Sequence, residues 1–217
     1  MKIEDVKTIE DLYIFCKDMK TYRLKDNDFE EVFANKQGVY IFFDDHEKIG
    51  MDLIGEEIPR IVRIGIVKSG MLANRLKNHK GYENNGGSHR SSAFRKLIGK
   101  AFINKENRSG KCLGKYPYWG IGSSAKKAVQ TLRLAEFKSS KDIINNEKSM
   151  EEKVSKYIRE LPFIVIIEND LEKRKSLEAK LIYMVSESVN SGKIKISKDW
   201  LGNFFTKNSG LWNIDGV

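Results

Sequence analysis

Arg63-Ile64-Gly65-Ile66-Val67-Lys68-Ser69-Gly70-Met71-Leu72-Ala73-Asn74-Arg75-Leu76-Lys77-Asn78-His79 reads as a short strand, a Ser/Gly turn and a helix. Ile61, Val62, Ile64, Ile66 and Val67 make the segment from Arg60 to Lys68 apolar enough for a strand. Ser69 and Gly70 interrupt it. Met71, Leu72 and Leu76 then recur at helical spacing. Arg75 and His79 stand four residues apart, so they share one helical face. Upstream, Gly38-Val39-Tyr40-Ile41-Phe42-Phe43 is a second apolar strand. The two strands most simply pair as an antiparallel hairpin with a long loop.

Outward from this centre, the N-terminal region predicts two helices, 5–19 and 27–35. The first carries Val6, Ile9, Leu12, Tyr13 and Cys16 at i, i+3, i+4 spacing, and Asp26 or Asn27 caps the second. They form an N-terminal cover over 1–36. Asp44 to Lys48 breaks the first strand with a charged loop in which His46 is solvated, and 48–59 is an acidic connection. The Gly/Asn/Ser-rich 81–88 is a loop, and His89 to Ser92 lead into a basic helix from Ala93 to Phe102. Residues 104–124 are loop-rich; their Tyr116, Tyr118 and Trp119 either stack on nucleic-acid bases or plug the core.

Ser123 or Ser124 caps a helix running to about Phe137, and 138–149 reads as a polar connection. Met150 to Leu161 is helical and Pro162 ends it. Phe163-Ile164-Val165-Ile166-Ile167 is a continuous apolar run, the pattern of a central buried strand. Leu171 to Val189 is a helix with Leu177, Leu181, Ile182, Met184 and Val185 inward. Ile194 to Ile196 is a short strand, and the tail around Trp200 and Leu211-Trp212-Asn213 docks on the core. The fold class is α/β in the α+β sense: a small, mainly antiparallel three-stranded central sheet flanked by helices. A single domain is expected over 1–217, with the core at 37–190, an insert at about 81–149 and a C-terminal extension at 191–217.

The 217 residues carry 40% hydrophobic and 10% aromatic residues, which excludes a disordered chain. No apolar run approaches the ~18 residues that span a bilayer, and Met1-Lys2-Ile3-Glu4-Asp5 has no apolar signal core, so a cytoplasmic protein away from membranes is expected. Cys16 and Cys112 lack zinc-site spacing and read as two reduced thiols. The net charge of +9 is unevenly spread. Residues 1–59 hold 8 Lys/Arg against 15 Asp/Glu, whereas 60–133 hold 17 Lys/Arg against only Glu83 and Glu106. A basic block beside an acidic flank is the footprint of a polyanion-binding surface.

These residues resemble the GIY-YIG nuclease family. Gly38-Val39-Tyr40 looks like the first half of its motif, and Arg63-Ile64-Gly65 like the second, with Arg in the Tyr slot. The helix bearing Arg75 and His79 follows in the family's order. Glu178 matches the family's metal-binding glutamate, and Asn190, twelve residues on, matches an asparagine common near the end of that region. His89-Arg90 into Phe94-Arg95-Lys96-Leu97, with the Trp200 and Leu211-Trp212-Asn213 tail, resembles a restriction-enzyme-like branch.

The resemblance implies a metal-dependent DNA endonuclease, of restriction type, with Tyr40, Arg63, Arg75, His79, Glu178 and Asn190 in the catalytic site. Phosphodiester hydrolysis needs an activated water, charge stabilisation at phosphorus and help for the leaving oxygen. Arg75 offers a permanently charged fork for phosphoryl oxygens. Glu178 offers a hard oxygen ligand to one Mg²⁺ or Mn²⁺. Tyr40 and His79 are both candidates for handling the water's proton, and a neutral histidine is the easier base at neutral pH. Arg63 cannot be a base and would bind the attacked phosphate. It also opens the alternative of a catalytically inactive nucleic-acid-binding protein on the same scaffold. Lys68, Lys77, His89, Arg90, Arg95 and Lys96 are the expected contacts to double-stranded DNA. A monomer and a homodimer are equally compatible with the sequence.

Overall fold

The computed structural model describes residues 1–26, 28–51, 56–82, 86–111, 113–132, 139–205 and 209–213. Two strands expected from the sequence, β2 (Gly38–Met51) and β3 (Glu56–Ile66), pair antiparallel. On the other side of β2 lies β4 (Pro162–Ile167), also antiparallel, and β4 in turn pairs with the two-residue β1 (Tyr22–Arg23). The sheet order is β1-β4-β2-β3. Among the described residues four strands therefore stand where three were expected, because a two-residue strand carries no readable periodicity.

Alternation along β2 sorts its side chains to opposite faces. Tyr40 and Phe42 point to one core, shared with α3 (Leu72–Lys80), α4 (Ala93–Arg108) and α6 (Ser140–Glu160). Val39, Ile41 and Phe43 point to the other, shared with α1 (Ile9–Lys17) and α7 (Leu171–Asn190). The sheet is thus the middle of three layers, and each buried Ile, Leu, Val or Phe contributes about 1.5–3 kcal/mol by leaving water. The short α2 (Phe29–Val32) braces α3: the Leu72 amide donates to the Lys36 carbonyl at 2.9 Å, and the Ala73 amide to that of Phe33 at 3.3 Å.

Several expectations are corrected. Asp44 to Lys48 does not end β2; the strand continues to Met51 through an irregularity there. Asp44 and Glu47 are buried, with the Tyr157 hydroxyl donating to Asp44 at 2.7 Å. The expected polar connection at 138–149 is mostly the first half of α6, whose buried face reads Ile143, Glu147, Met150, Glu151, Val154, Ile158. Two carboxylates at core-facing positions disguise that stripe. Ile194–Ile196 is not a strand; Ile194 folds back behind α7, its amide donating to Ser188 at 2.8 Å. The first N-terminal helix splits into a 3-10 turn at Ile3–Asp5 and α1. Ser124 caps α5 (Ala125–Leu132), and the expected continuation to Phe137, the Asn27 cap and Cys112 lie outside the described residues. Tyr116, Tyr118 and Trp119 are buried, and Tyr116 and Trp119 belong to the core beneath α4 and α6. No helix among the described residues is long and apolar enough to cross a membrane.

Candidate active site

The glycines of the two half-motifs are there for close approach. A Cβ on Gly38 would lie 2.2 Å from the Ile166 carbonyl oxygen, so β4 packs against β2 only over a bare backbone. Gly65 pairs across the hairpin with Tyr40, and a Cβ there would lie 2.3 Å from the Tyr40 hydroxyl. The Tyr40 ring therefore lies over Gly65. It meets the rings of Phe42 and His79 in T-shaped contacts.

Beside it opens a cleft of about 660 Å³ whose walls include Tyr40, Arg63, Lys68, Asn74, Arg75 and Glu178. Strands β2 and β3 supply Tyr40 and Arg63, α3 supplies Arg75, and α7 supplies Glu178. A bulge aims Arg63: Phe42 faces Arg63 but Phe43 faces Ile61, leaving Val62 as the extra residue on β3. Val62 and Arg63 then share the α3–α4 side, where the Arg63 guanidinium lies 5.7 Å from the centre of the Phe94 ring.

His79 does not line the cleft. It is fully buried, behind Tyr40, with Nε2 2.9 Å from the Tyr40 hydroxyl and Nδ1 2.8 Å from the Ser92 hydroxyl. Burial drives its pKa well below the ordinary 6.5, and the charges of Arg75, Arg63 and Arg95 push the same way. The expectation of a histidine base acting on water is corrected: His79 is a neutral group that reaches the cleft only through Tyr40.

Asn190 is exposed at the last residue of α7, twelve residues from Glu178, or about 18 Å along the helix axis. The asparagines in the cleft wall among the described residues are Asn74 and Asn78 of α3 and, from the tail, Asn213. Its side chain donates to the Ile64 carbonyl at 2.8 Å and accepts from the Ile64 amide at 3.3 Å. The same tail segment lies along the free edge of β3, with the Trp212 amide on the Val62 carbonyl at 2.6 Å. The Trp212 carbonyl accepts from Arg63 at 2.5 Å, so the tail also holds the arginine in the Tyr slot. Sequence reading brought the tail to the core but had no signal that it completes the site.

Glu178 is half-buried, and that burial raises its pKa against the opposing influence of Arg63, Lys68, the Ile66 backbone and Arg75. It is the one carboxylate among the described residues lining the cleft. One carboxylate plus waters is an ordinary way to hold Mg²⁺, and a partly desolvated carboxylate gains from a cation. The residues therefore fit a single divalent ion.

Three expected DNA contacts are corrected. His89 is buried, its Nδ1 2.8 Å from Glu151 and its Nε2 accepting the Gly120 amide at 3.0 Å, with Trp119 stacked on its ring. Arg95 is fully buried, bound to Glu151 and to the His79 carbonyl at 2.9 Å. Arg90 makes a bidentate pair with Glu147. His89, Arg90 and Arg95 tie the start of α4 and the turn before it to α6. Lys68, Lys77 and Lys96 are exposed, Lys77 beside Glu30 at 2.7 Å. Part of the basic block is thus neutralised internally by carboxylates from outside it.

The family model for the GIY-YIG domain matches residues 5–217. The chain belongs to the GIY-YIG family, a family of nuclease-type hydrolases. Neither the curated proteins nor the solved structures contain a significant match to it.

Proposed function

We propose that the protein is a metal-dependent DNA endonuclease that hydrolyses phosphodiester bonds in the cytoplasm, and that residues 1–217 act as one domain. The observation that carries this reading is the convergence of Tyr40, Arg63, Arg75 and Glu178 on one cleft. Glu178 would hold Mg²⁺ or Mn²⁺, which when bound supplies Lewis-acid stabilisation of the phosphate and of the leaving 3′ oxygen. Arg75 and Arg63 take the phosphoryl oxygens, their charge permanent at working pH. Tyr40 orients the attacking water through its hydroxyl, and His79 orients Tyr40. Lys68, with Lys77 and Lys96, meets the flanking backbone of duplex DNA, which makes binding salt-dependent.

Supercoiled-plasmid cleavage with Mg²⁺ or Mn²⁺ tests the reading: wild type cleaves, and Glu178→Ala binds DNA without cleaving. Cleavage by Glu178→Ala at the wild-type rate would overturn the site. The alternative, a binding protein without activity, draws on Arg63 in the Tyr slot; it predicts salt-dependent binding with no metal requirement. A restriction role draws on the tail, whose Asn213 and Trp212 carbonyl join the site. It predicts cleavage at a defined sequence, blocked by methylation of that sequence. Sedimentation with and without DNA decides between monomer and homodimer.

A further inference from the structure

We propose that Gln37 is a positioning residue: its side-chain amide bridges the two walls of the cleft, the turn between β3 and α3 on one side and the start of α7 on the other. The consequence for cleavage rests on the nuclease reading above, but the bridge itself does not.

One wall of the cleft runs from Ile66 to Met71 and on along α3, and the other is built by Glu178, Ala179 and Ile182 of α7. Arg75 stands on the first wall and Glu178 on the second. A phosphate held by Arg75 and a cation held by Glu178 meet productively only at the right spacing of these walls. Packing does not fix the turn. Gly70 has a φ of +80°, and a Cβ on it would meet nothing within 4 Å. It is exposed, as are Lys68 and Ser69. Gln37 reaches it: its Nε2 donates to the Gly70 carbonyl at 3.1 Å. The Leu72 and Ala73 amides just beyond are bound to the Lys36 and Phe33 carbonyls, so α3 begins on the same 33–37 segment.

The other end of the amide is held by Arg174, 2% exposed, whose Nη1 donates to Gln37 Oε1 at 2.9 Å. The same Nη1 meets the carbonyls of Glu168 at 2.9 Å and Asn169 at 2.8 Å, which fixes it to the loop entering α7. Arg174 precedes Glu178 by four residues, one turn or about 6 Å along the helix axis. The Gln37 main chain joins the same loop, its carbonyl accepting the Glu168 amide at 3.1 Å.

The partners settle which way round the amide sits. A guanidinium only donates and a main-chain carbonyl only accepts. Oε1 therefore faces Arg174, and Nε2 faces Gly70. A glutamate of the same length serves Arg174 as an ion pair but has no proton for Gly70. Gln37→Glu thus cuts one arm of the bridge and keeps the other, which a general loss of stability would not do.

Amide hydrogen exchange of the full chain, without metal or DNA, reads the two arms separately. In Gln37→Glu the Leu72 and Ala73 amides are expected to exchange about fivefold faster, the worth of one hydrogen bond, while the Lys173 and Arg174 amides keep the wild-type rate. Gln37→Met, which fills the space without a hydrogen-bonding group for either partner, is expected to speed both sets. The melting temperature of Gln37→Glu should stay within about 3 °C of wild type. In plasmid cleavage its kcat is expected to fall about tenfold, with KM for DNA unchanged within about twofold. Wild-type exchange at Leu72 and Ala73 in both variants overturns the bridge. Faster exchange in Gln37→Glu with a wild-type kcat overturns the positioning role. The expected exchange pattern without any cleavage by wild type would instead refute the nuclease reading and leave the Gln37 bridge standing.

Discussion

Gly65 and Tyr40 face each other across the β2–β3 hairpin, and the tyrosine ring occupies the space a side chain at 65 would need. Gly65→Ala forces the ring away from His79 and from the cleft. Overpacking of this kind costs about 1–3 kcal/mol. The melting temperature should drop modestly, while cleavage falls further than the lost stability explains. Retention of full activity in a folded Gly65→Ala protein would show that Tyr40 is not placed by this contact.

His79 gives stability a pH dependence with a definite sign. Its folded pKa is depressed, so below the unfolded value of 6.5 the unfolded chain binds a proton the folded chain refuses. Stability is therefore fully present above that pH and declines as pH falls through it. His79→Gln should flatten that decline. Thermal melts of both proteins between neutral and mildly acid pH provide the comparison, and parallel profiles would mean that His79 is not the buried neutral group described.

Glu151 anchors His89 and Arg95 together. Glu151→Ala leaves a buried guanidinium without its counter-charge, a loss of about 3–5 kcal/mol. Urea unfolding measures it. A variant of wild-type stability but weakened DNA binding would return His89 and Arg95 to the role the sequence implied.

The two asparagines separate sequence position from spatial position. Asn213→Ala strips both hydrogen bonds from the Ile64 backbone and should cost about 1–3 kcal/mol along with most of the cleavage rate. Asn190→Ala, at an exposed helix end, should stay within about 0.5 kcal/mol and keep its activity. The reverse pattern would reinstate Asn190 in the site.

The parts of the site that were legible lie on elements with clear periodicity. Tyr40 and Arg63 stand on apolar strands, and Arg75 and Glu178 on helices whose inward faces are read from spacing. Much of what was misread is charged. Asp44 and Glu47 looked like a strand break, Glu147 like part of a polar connection, and Arg90 and Arg95 like DNA contacts. A charge in a sequence is assigned to water by default, because burying it alone is costly. Here each is buried against a partner far away in the chain, such as Glu151 for Arg95 and Glu147 for Arg90.

The sequence by itself determined the order of the three longer strands and the helices around them, the two half-motifs and the cationic and acidic letters of the cleft, since these follow from local pattern and residue chemistry. Only the tertiary structure decided that His79 reaches the site through Tyr40, that Asn213 rather than Asn190 lines it, and that half the expected DNA contacts are internal. Those outcomes depend on which distant groups meet, and a hydrogen bond or ion pair between residues 39 to 149 positions apart leaves no periodic trace in either segment.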